Sequence, residues 1–274
     1  MYVLSAGYSE QVLGFTSHYH DGHELIYIVS GEADFSVSGR ILRANAGSLL
    51  IFSRFEEHSV RVLTPEYRRY TLLISSEISR GSENYALSSI LVNRSQGFEH
   101  ILDCGSAREK IRSLFDDIYT EFQSKQPMYS RVADSSLMIL LAEIYRIAPH
   151  RFIAEENKNS EMVRRIQNRF ERDPAVEVTI SALASEFHVS PSHLSHIFKS
   201  ITGYSPIDYL MSCRLSSAKT LLAESEKSIK EIVDACGFSD ESNFSRTFKC
   251  KTGMTPTEFR RQNLRKSLDK PQEE

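Results

Sequence analysis

Three histidines and a carboxylate are spaced for joint work in His18-x-His20-x3-Glu24, with His58 further along the chain. On an extended strand alternate side chains share a face, so residues 18, 20 and 24 would turn their donor atoms the same way. Neutral imidazole nitrogens beside one carboxylate suit divalent iron, manganese, nickel or zinc. The same groups serve equally as the polar lining of a ligand cavity or as structural hydrogen-bond partners. Sequence therefore assigns no metal and no cofactor; if a metal is present, its ligands are His18, His20, Glu24 and His58. Arg54 and the aromatics Tyr27, Phe35 and Phe52 lie near enough in the chain to join such a lining. No residue is assigned a catalytic role.

Short segments must carry these groups. Residues 24–30 (ELIYIVS), 33–38, 48–52, 59–63 and 69–75 are β-branched or aromatic and partly alternating. Turn signals part them: Ser-Gly at 30–31, Ser-Gly-Arg at 38–40, Asn-Ala-Gly at 45–47 and Thr-Pro-Glu at 64–66. Strands so spaced predict an all-β barrel or sandwich over residues 1–105. A helical hairpin and linker are expected over 106–157. Its first helix, 107–123, carries a stripe of Ile111, Leu114, Phe115, Ile118, Tyr119 and Phe122. Its second, 130–148, is bracketed by Pro127 and Pro149 and aligns Leu137, Leu140, Leu141, Ile144 and Ala148. Residues 149–160 read as a polar linker and 266–274 as a frayed tail.

Residues 158–265 contain a repeat. LASEFHVSPSHLSHIFKSITGYSP (183–206) and IVDACGFSDESNFSRTFKCKTGMTP (232–256) both read as helix–turn–helix. They register at an offset of 49 up to Ser190 and Ser239, and at 50 from Leu194 and Phe244 onward, so one extra residue enters just after the second turn. Ser190 precedes Pro191 as a hydroxyl N-cap, and Ser239 is expected to cap the corresponding helix. Gly203 and Gly253 suit left-handed helix ends. Ser205-Pro206 starts the next helix after the first copy, while Ser228/Glu231 and Thr255/Glu258 form capping boxes. Leu183, Phe187, Leu194, Ile197, Phe198 and Ile201 match Ile232, Cys236, Phe244, Thr247, Phe248 and Cys250 as core positions. His188 stands where the second copy has Gly237, so a left-handed turn there would be slightly strained.

Bulk properties set limits. A chain of 274 residues predicts two domains. The N-terminus lacks a basic start followed by an apolar stretch, and the longest apolar run, 137–142, is too short to span a membrane. A cytoplasmic protein without membrane contact is expected. Cys104, Cys213, Cys236 and Cys250 show no CxxC spacing and read as reduced thiols in apolar positions. The net charge of −3 argues weakly against nucleic acid. Residues 158–274, however, hold 18 basic against 16 acidic side chains, and residues 1–157 hold 15 against 20.

The repeat, above all GFSDESNFSRTFKCKTGMTPTEFR, closely resembles the C-terminal domain of AraC/XylS-type transcription regulators over residues 160–262, including the connecting segment PIDYLMSCRLSSAKTLLAES. The spacing of His18, His20, Glu24 and Gly31, then Gly47 and His58, resembles the two cupin motifs, although Ser53 and Phe55 replace the usual proline and glycine. These resemblances imply a multidomain α and β protein. A cupin-like jelly roll with a helical hairpin would precede an all-α double helix-turn-helix domain. Two recognition helices would enter successive major grooves about 34 Å apart.

By position in the family motif, the base-reading candidates are Ser192, Ser195 and His196 in the first copy and Ser242, Asn243 and Arg246 in the second. Arginine can pair bidentately with guanine and asparagine with adenine. His196 lacks the guanidinium fork, so the second copy should discriminate more sharply. A surface ion pair between Arg246 and Asp240 or Glu241 is the alternative for that arginine. Lys199 and Lys249 read as phosphate contacts or solvated helix ends.

The resemblance further implies a homodimer, a small-molecule effector of the sugar or related metabolite class, and activation through RNA polymerase. The effector candidates are His18, His20, Glu24, Tyr27, Arg54 and His58. The expected function is a ligand-responsive, sequence-specific regulator of a metabolic operon, with carbohydrate utilisation as the expected class. The rival is a metal-dependent cupin enzyme with an appended DNA-binding module.

Overall fold

The computed structural model describes residues 1–10, 18–37, 39–79, 85–92, 99–152 and 157–268. The chain divides into two compact units, Met1–Glu161 and Met162–Glu274. No helix among the described residues is long and apolar enough to cross a membrane.

The first unit is built on two antiparallel sheets. Strands β1 (Val3–Ser9), β2 (His23–Ser30), β3 (Glu32–Val37), β4 (Arg40–Asn45), β5 (Ser48–Phe52), β6 (His58–Val62), β7 (Arg68–Ile74) and β8 (Ile101–Asp103) are joined by helix α1 (Tyr85–Val92) ahead of β8. One sheet runs β1-β7-β2-β5-β8 and the other β4-β3-β6. Four of these elements, β1, β4, β8 and α1, lie outside the segments that the sequence pattern predicts. Ser38, placed at the end of a predicted strand, lies outside the described residues.

The two faces of the five-stranded sheet pack differently. Ile26 and Ile28 of β2 and Leu50 and Phe52 of β5 join Phe35, Val60 and Tyr67 in the sandwich interior. Leu25, Tyr27, Leu49 and Ile51 point the other way, into a core shared with the helical hairpin. A strand covered on both faces loses its polar alternation, and all of β5 is buried. The hairpin consists of α2 (Arg108–Ser124) and α3 (Tyr129–Ile147). Ile111, Leu114, Phe115, Ile118, Leu137, Leu140, Leu141 and Ile144 are all buried in the same core. The hairpin thus packs on the sheet, and exposed Val132 and Ile139 remain on the outer side of α3.

The expected polar linker is shorter than its composition suggests. Pro149–Arg151 forms a tight 3-10 turn, and Phe152 is buried in the first unit's core. The Arg151 guanidinium donates to the Ile101 carbonyl at 3.0 Å. Residues 153–156 lie outside the described residues, and α4 starts at Lys158.

The second unit is helical: α4 (Lys158–Arg172), whose first turn falls at the boundary, then α5 (Ile180–Glu186), α6 (Pro191–Thr202), α7 (Pro206–Glu224), α8 (Ile229–Cys236), α9 (Glu241–Thr252) and α10 (Pro256–Leu268). Helix α10 continues past Arg265 into the expected tail. Leu215, Ala218 and Leu222 of α7 pack with Ile232, Cys236, Phe244 and Phe248 into one core. Cys250 departs from the expected pattern: it is exposed, whereas Cys104, Cys213 and Cys236 are buried.

Candidate functional site

Two helix pairs, α5/α6 and α8/α9, repeat the same local construction. Ser190 accepts from the His193 amide at 3.2 Å and starts α6 ahead of Pro191. Asp240, not Ser239, caps α9: its carboxylate accepts from the Asn243 amide at 2.7 Å. Ser239 instead donates to Asp240 at 2.9 Å. An ionised carboxylate at a helix N-terminus accepts more strongly than a hydroxyl and complements the helix dipole. The Asp240 carboxyl is held below the usual range, chiefly by the Asn243 amide and then by Ser239. His188 aligns with Gly237, Val189 with Phe238, and capping Ser190 with capping Asp240. Ser239 is therefore the extra residue, and it lies within the turn.

Each helix ends on a left-handed glycine, Gly203 at φ 82° and Gly253 at φ 78°. The capping boxes at Ser228/Glu231 and Thr255/Glu258 both form. His188 does adopt the left-handed turn, at φ 55°. Between the pairs lies a groove of about 820 Å³, bounded by Thr179, Ala182 and Glu186 on one side and Gly237, Ser239 and Asn243 on the other. Arg214 of α7 fixes its edge by donating to the Pro174 and Val176 carbonyls at 2.8 and 3.1 Å.

Leu194 and Phe198 of α6, and Phe244 and Phe248 of α9, are buried. Ser192, His196, Lys199, Ser242, Arg246 and Lys249 are exposed; Ser195 and Asn243 are half-buried. Asn243 is partly engaged within its own helix start, donating to Ser239 at 3.2 Å. In structural register Asn243 corresponds to His193 and Ser195 to Ser245, so the two candidate sets are not equivalent. Exposed His193 is the register partner of Asn243, a correspondence that the one-residue offset already contains.

In the first unit His18, His20, Glu24 and His58 do converge, though not through a shared strand. His18 meets β6 through an isolated bridge to His58, residues 19–22 lie between strands, and Glu24 sits on β2. His58 opens β6 in the opposite sheet, its ring stacked on Phe52 at 4.1 Å between centroids. Its Nε2 is 2.9 Å from Glu24 Oε2, and His20 Nε2 is 3.5 Å from the same oxygen. Donor atoms of His18, His20 and His58 lie within 4.8 Å of one another, a set that could hold a metal ion. Burial alone would raise the Glu24 carboxyl. The hydrogen bond with His58 and the charges of His20, His58 and Arg69 outweigh it and hold the group below the usual range.

The remaining candidates separate. Tyr27 faces the hairpin, where its hydroxyl donates to the Arg108 carbonyl at 3.2 Å and its ring stacks on Phe115. It belongs to the helix-facing core, opposite the histidines. Arg54 pairs with Asp21 at 2.6 Å and lies over the Phe55 ring at 4.3 Å. Phe55 takes a left-handed φ of 65°, where the cupin pattern usually has glycine. Phe35 and Phe52 fill the sandwich interior.

Two polar features carry no local sequence signal. Glu56 Oε1 meets His100 Nε2 at 2.7 Å across a long stretch of chain. Arg69 is buried, and burial pushes the neighbouring Tyr67 phenol up to about 12.

A helix-turn-helix domain model matches residues 183–262, and a cupin domain model matches residues 8–74. The chain is similar to the HTH-type transcriptional regulator YdiP of Escherichia coli K12: 25% identical over 251 residues, 89% of this chain and 80% of that protein. It is 26% identical over 253 residues to the HTH-type transcriptional activator RhaS of Mannheimia succiniciproducens, covering 90% and 89% of the two. Among solved structures, unsaturated-fatty-acid-bound ToxT from Vibrio cholerae superposes with a TM-score of 0.61 at 16% identity, over 93% of each chain. That likeness bears on fold. The relatives named as regulators, together with the repeat, replace the enzyme reading. The chain is a DNA-binding transcription regulator that joins a cupin domain to a helix-turn-helix domain similar to that of the AraC/XylS type.

Proposed function

We propose that this regulator is an effector-controlled activator that grips two successive major grooves, with α6 and α9 as the reading helices. The observation that carries this reading is the matched construction of α6 and α9, each of 12 residues, on either side of the 19-residue α7. At 1.5 Å per residue α7 is about 28 Å long, close to the roughly 34 Å of one DNA turn. Ser192, Ser195, His196, Ser242, Asn243 and Arg246 would read bases, and Lys199 and Lys249 would contact phosphates.

The effector is a small molecule taken by the cupin domain near His18, His20, Glu24, Arg54 and His58. The fatty acid in ToxT supports a small-molecule effector for this fold, and the resemblance to AraC/XylS-type regulators favours a sugar or related metabolite and a carbohydrate operon. Exposed Val132 and Ile139 on α3 support a homodimer through the hairpin. As an activator it would work through RNA polymerase, in the cytoplasm. Effector binding regulates only if it favours one arrangement of the dimer over another.

The test is selection of bound fragments from the source genome, followed by footprinting. Two protected major grooves one turn apart, with affinity falling steeply as salt rises, are expected. A single protected groove, or affinity indifferent to salt, would reject the two-groove reading.

A further inference from the structure

Asn243 sits in a chain of hydrogen bonds whose direction is fixed throughout. The Asp240 carboxylate, held below the usual carboxylate range, has no proton to give at neutral pH. It accepts from the Asn243 backbone amide at 2.7 Å and from the Ser239 hydroxyl at 2.9 Å. A hydroxyl carries one proton, so Ser239 Oγ can only accept from its other neighbour. That neighbour is the Asn243 side chain at 3.2 Å, and the atom facing Ser239 is therefore the amide nitrogen Nδ2. At the other end Oδ1 accepts from the Thr247 hydroxyl at 3.4 Å. Residues 239, 243 and 247 are four apart and form one row along α9, so the amide lies between its neighbours with donor end and acceptor end assigned.

We propose that Ser239 and Thr247 are positioning residues that hold the Asn243 amide in the orientation that reads adenine and rejects guanine. Each end of the amide is only half used: one N–H and one oxygen lone pair remain. Adenine offers the matching pair in the major groove, an N7 acceptor beside an N6 amino donor. Guanine offers N7 and O6, two acceptors, and one of them would face the amide oxygen. An unrestrained amide could turn its NH2 group toward guanine. The held one would first lose its bonds to Ser239 and Thr247. Ser239 and Asn243 both line the groove between the helix pairs, so the amide is reached from outside the protein.

The first copy has no counterpart of this arrangement. Ser190 caps α6 directly after Val189, and His193 and Ile197 stand where α9 has Asn243 and Thr247. The residue that lengthens the second turn thus supplies one of the two hydroxyls. The inference rests on the reading of α9 as a base-contacting helix. To that reading it adds two residues that act on the base only through Asn243.

The full chain is followed first without DNA, by NMR of the Asn243 side-chain NH2 group, assigned by its loss in Asn243→Ala. Its exchange with water should quicken in Ser239→Ala and stay slow in Ser239→Thr, which keeps the hydroxyl. Ser239 is exposed and Thr247 half-buried, so substitution should leave the fold intact, as read by circular dichroism. The site recovered by fragment selection is then titrated with each base pair varied in turn. At one pair the parent should favour adenine over guanine about tenfold, the discrimination of a bidentate contact. Ser239→Ala and Thr247→Val should each bring that preference below about threefold, and Thr247→Ser should restore it. Preferences at the other pairs, and the salt dependence, should hold, which a general loosening of α9 would not allow. Unchanged exchange in Ser239→Ala, or a full adenine preference in both hydroxyl-free variants, overturns the proposal. If exchange behaves as expected but Asn243→Ala alters preference at no base pair, the amide is held yet reads nothing. That result overturns the adenine role by removing the underlying reading of Asn243, and the exchange data tell it apart from a failure of the hydrogen-bond chain.

Discussion

His188 and Gly237 occupy the same turn of the two helix pairs, both with left-handed backbone, at φ 55° and 73°. Only the glycine is forced by its surroundings as well: a Cβ there would stand 2.6 Å from the Ala175 Cα. Backbone atoms cannot step aside cheaply. Gly237→Ala should lower stability by about 1–3 kcal/mol through strain and collision. His188→Gly should have a small effect of either sign, about 1 kcal/mol at most, as relief of strain is set against greater freedom of the unfolded chain. Urea midpoints at constant slope measure both. Equal losses from the two substitutions would contradict this account.

Arg246 is exposed on α9 and matches His196 on α6. Arg246→Ala should cost about 1–3 kcal/mol of binding, concentrated at one base pair of the site. His196→Ala should cost less, because one imidazole bond replaces a bidentate fork. Lys249→Ala should weaken all sequences alike and flatten the salt dependence. Titrations against the selected site and its single-base variants separate these behaviours. A uniform loss for Arg246→Ala would demote it to a phosphate contact.

Asp240 links acidity to the second reading helix. Its carboxyl titrates lower when folded, because the ionised form accepts from the Asn243 amide. The stabilisation is therefore fully present above the unfolded value, about 3.9, and fades as pH falls through the folded one. Asp240→Asn keeps a good N-cap but removes this titration. The variant should match the parent's unfolding temperature more closely at acid pH than at pH 7. An unchanged difference across that range would remove Asp240 from the acid response.

The hairpin makes a further prediction. Val132 and Ile139 are 44% and 48% exposed, while Leu137, Leu140 and Leu141 on the same helix are fully buried. Charging the two outer positions, as Val132→Glu with Ile139→Glu, should convert a dimer to monomers without unfolding the sandwich. Sedimentation velocity and circular dichroism test this together. A dimer that persists would move the interface off α3.

The helical parts were the more legible in the sequence. The stripe from Ile111 to Phe122, the capping boxes and the terminal glycines each follow from local chemistry, and each forms as expected. The sheets were less legible where packing is two-sided. Tyr27 reads as a neighbour of Glu24, yet its odd spacing on β2 turns it to the opposite face, and because both faces are covered no polar alternation in the sequence marks which face is which. The histidine cluster could be found by residue type, but not its route of assembly. His58 comes from the opposite sheet, and that pairing is set by tertiary packing. Glu56 and His100 meet for the same reason, so no short-range pattern announces them.

Ser239 has a consequence for the DNA itself. One added residue between the turn at Gly237 and the cap at Asp240 makes the second turn one residue longer than the first. A duplicated protein segment would ordinarily suggest a duplicated binding sequence. Here the second turn is longer and Arg246 stands where the first copy has His196, so, if α6 and α9 read bases as proposed, the operator half presented to each should be unrelated in sequence to the other. A site with fixed polarity follows, and a promoter carrying it backwards would be a different promoter to this protein.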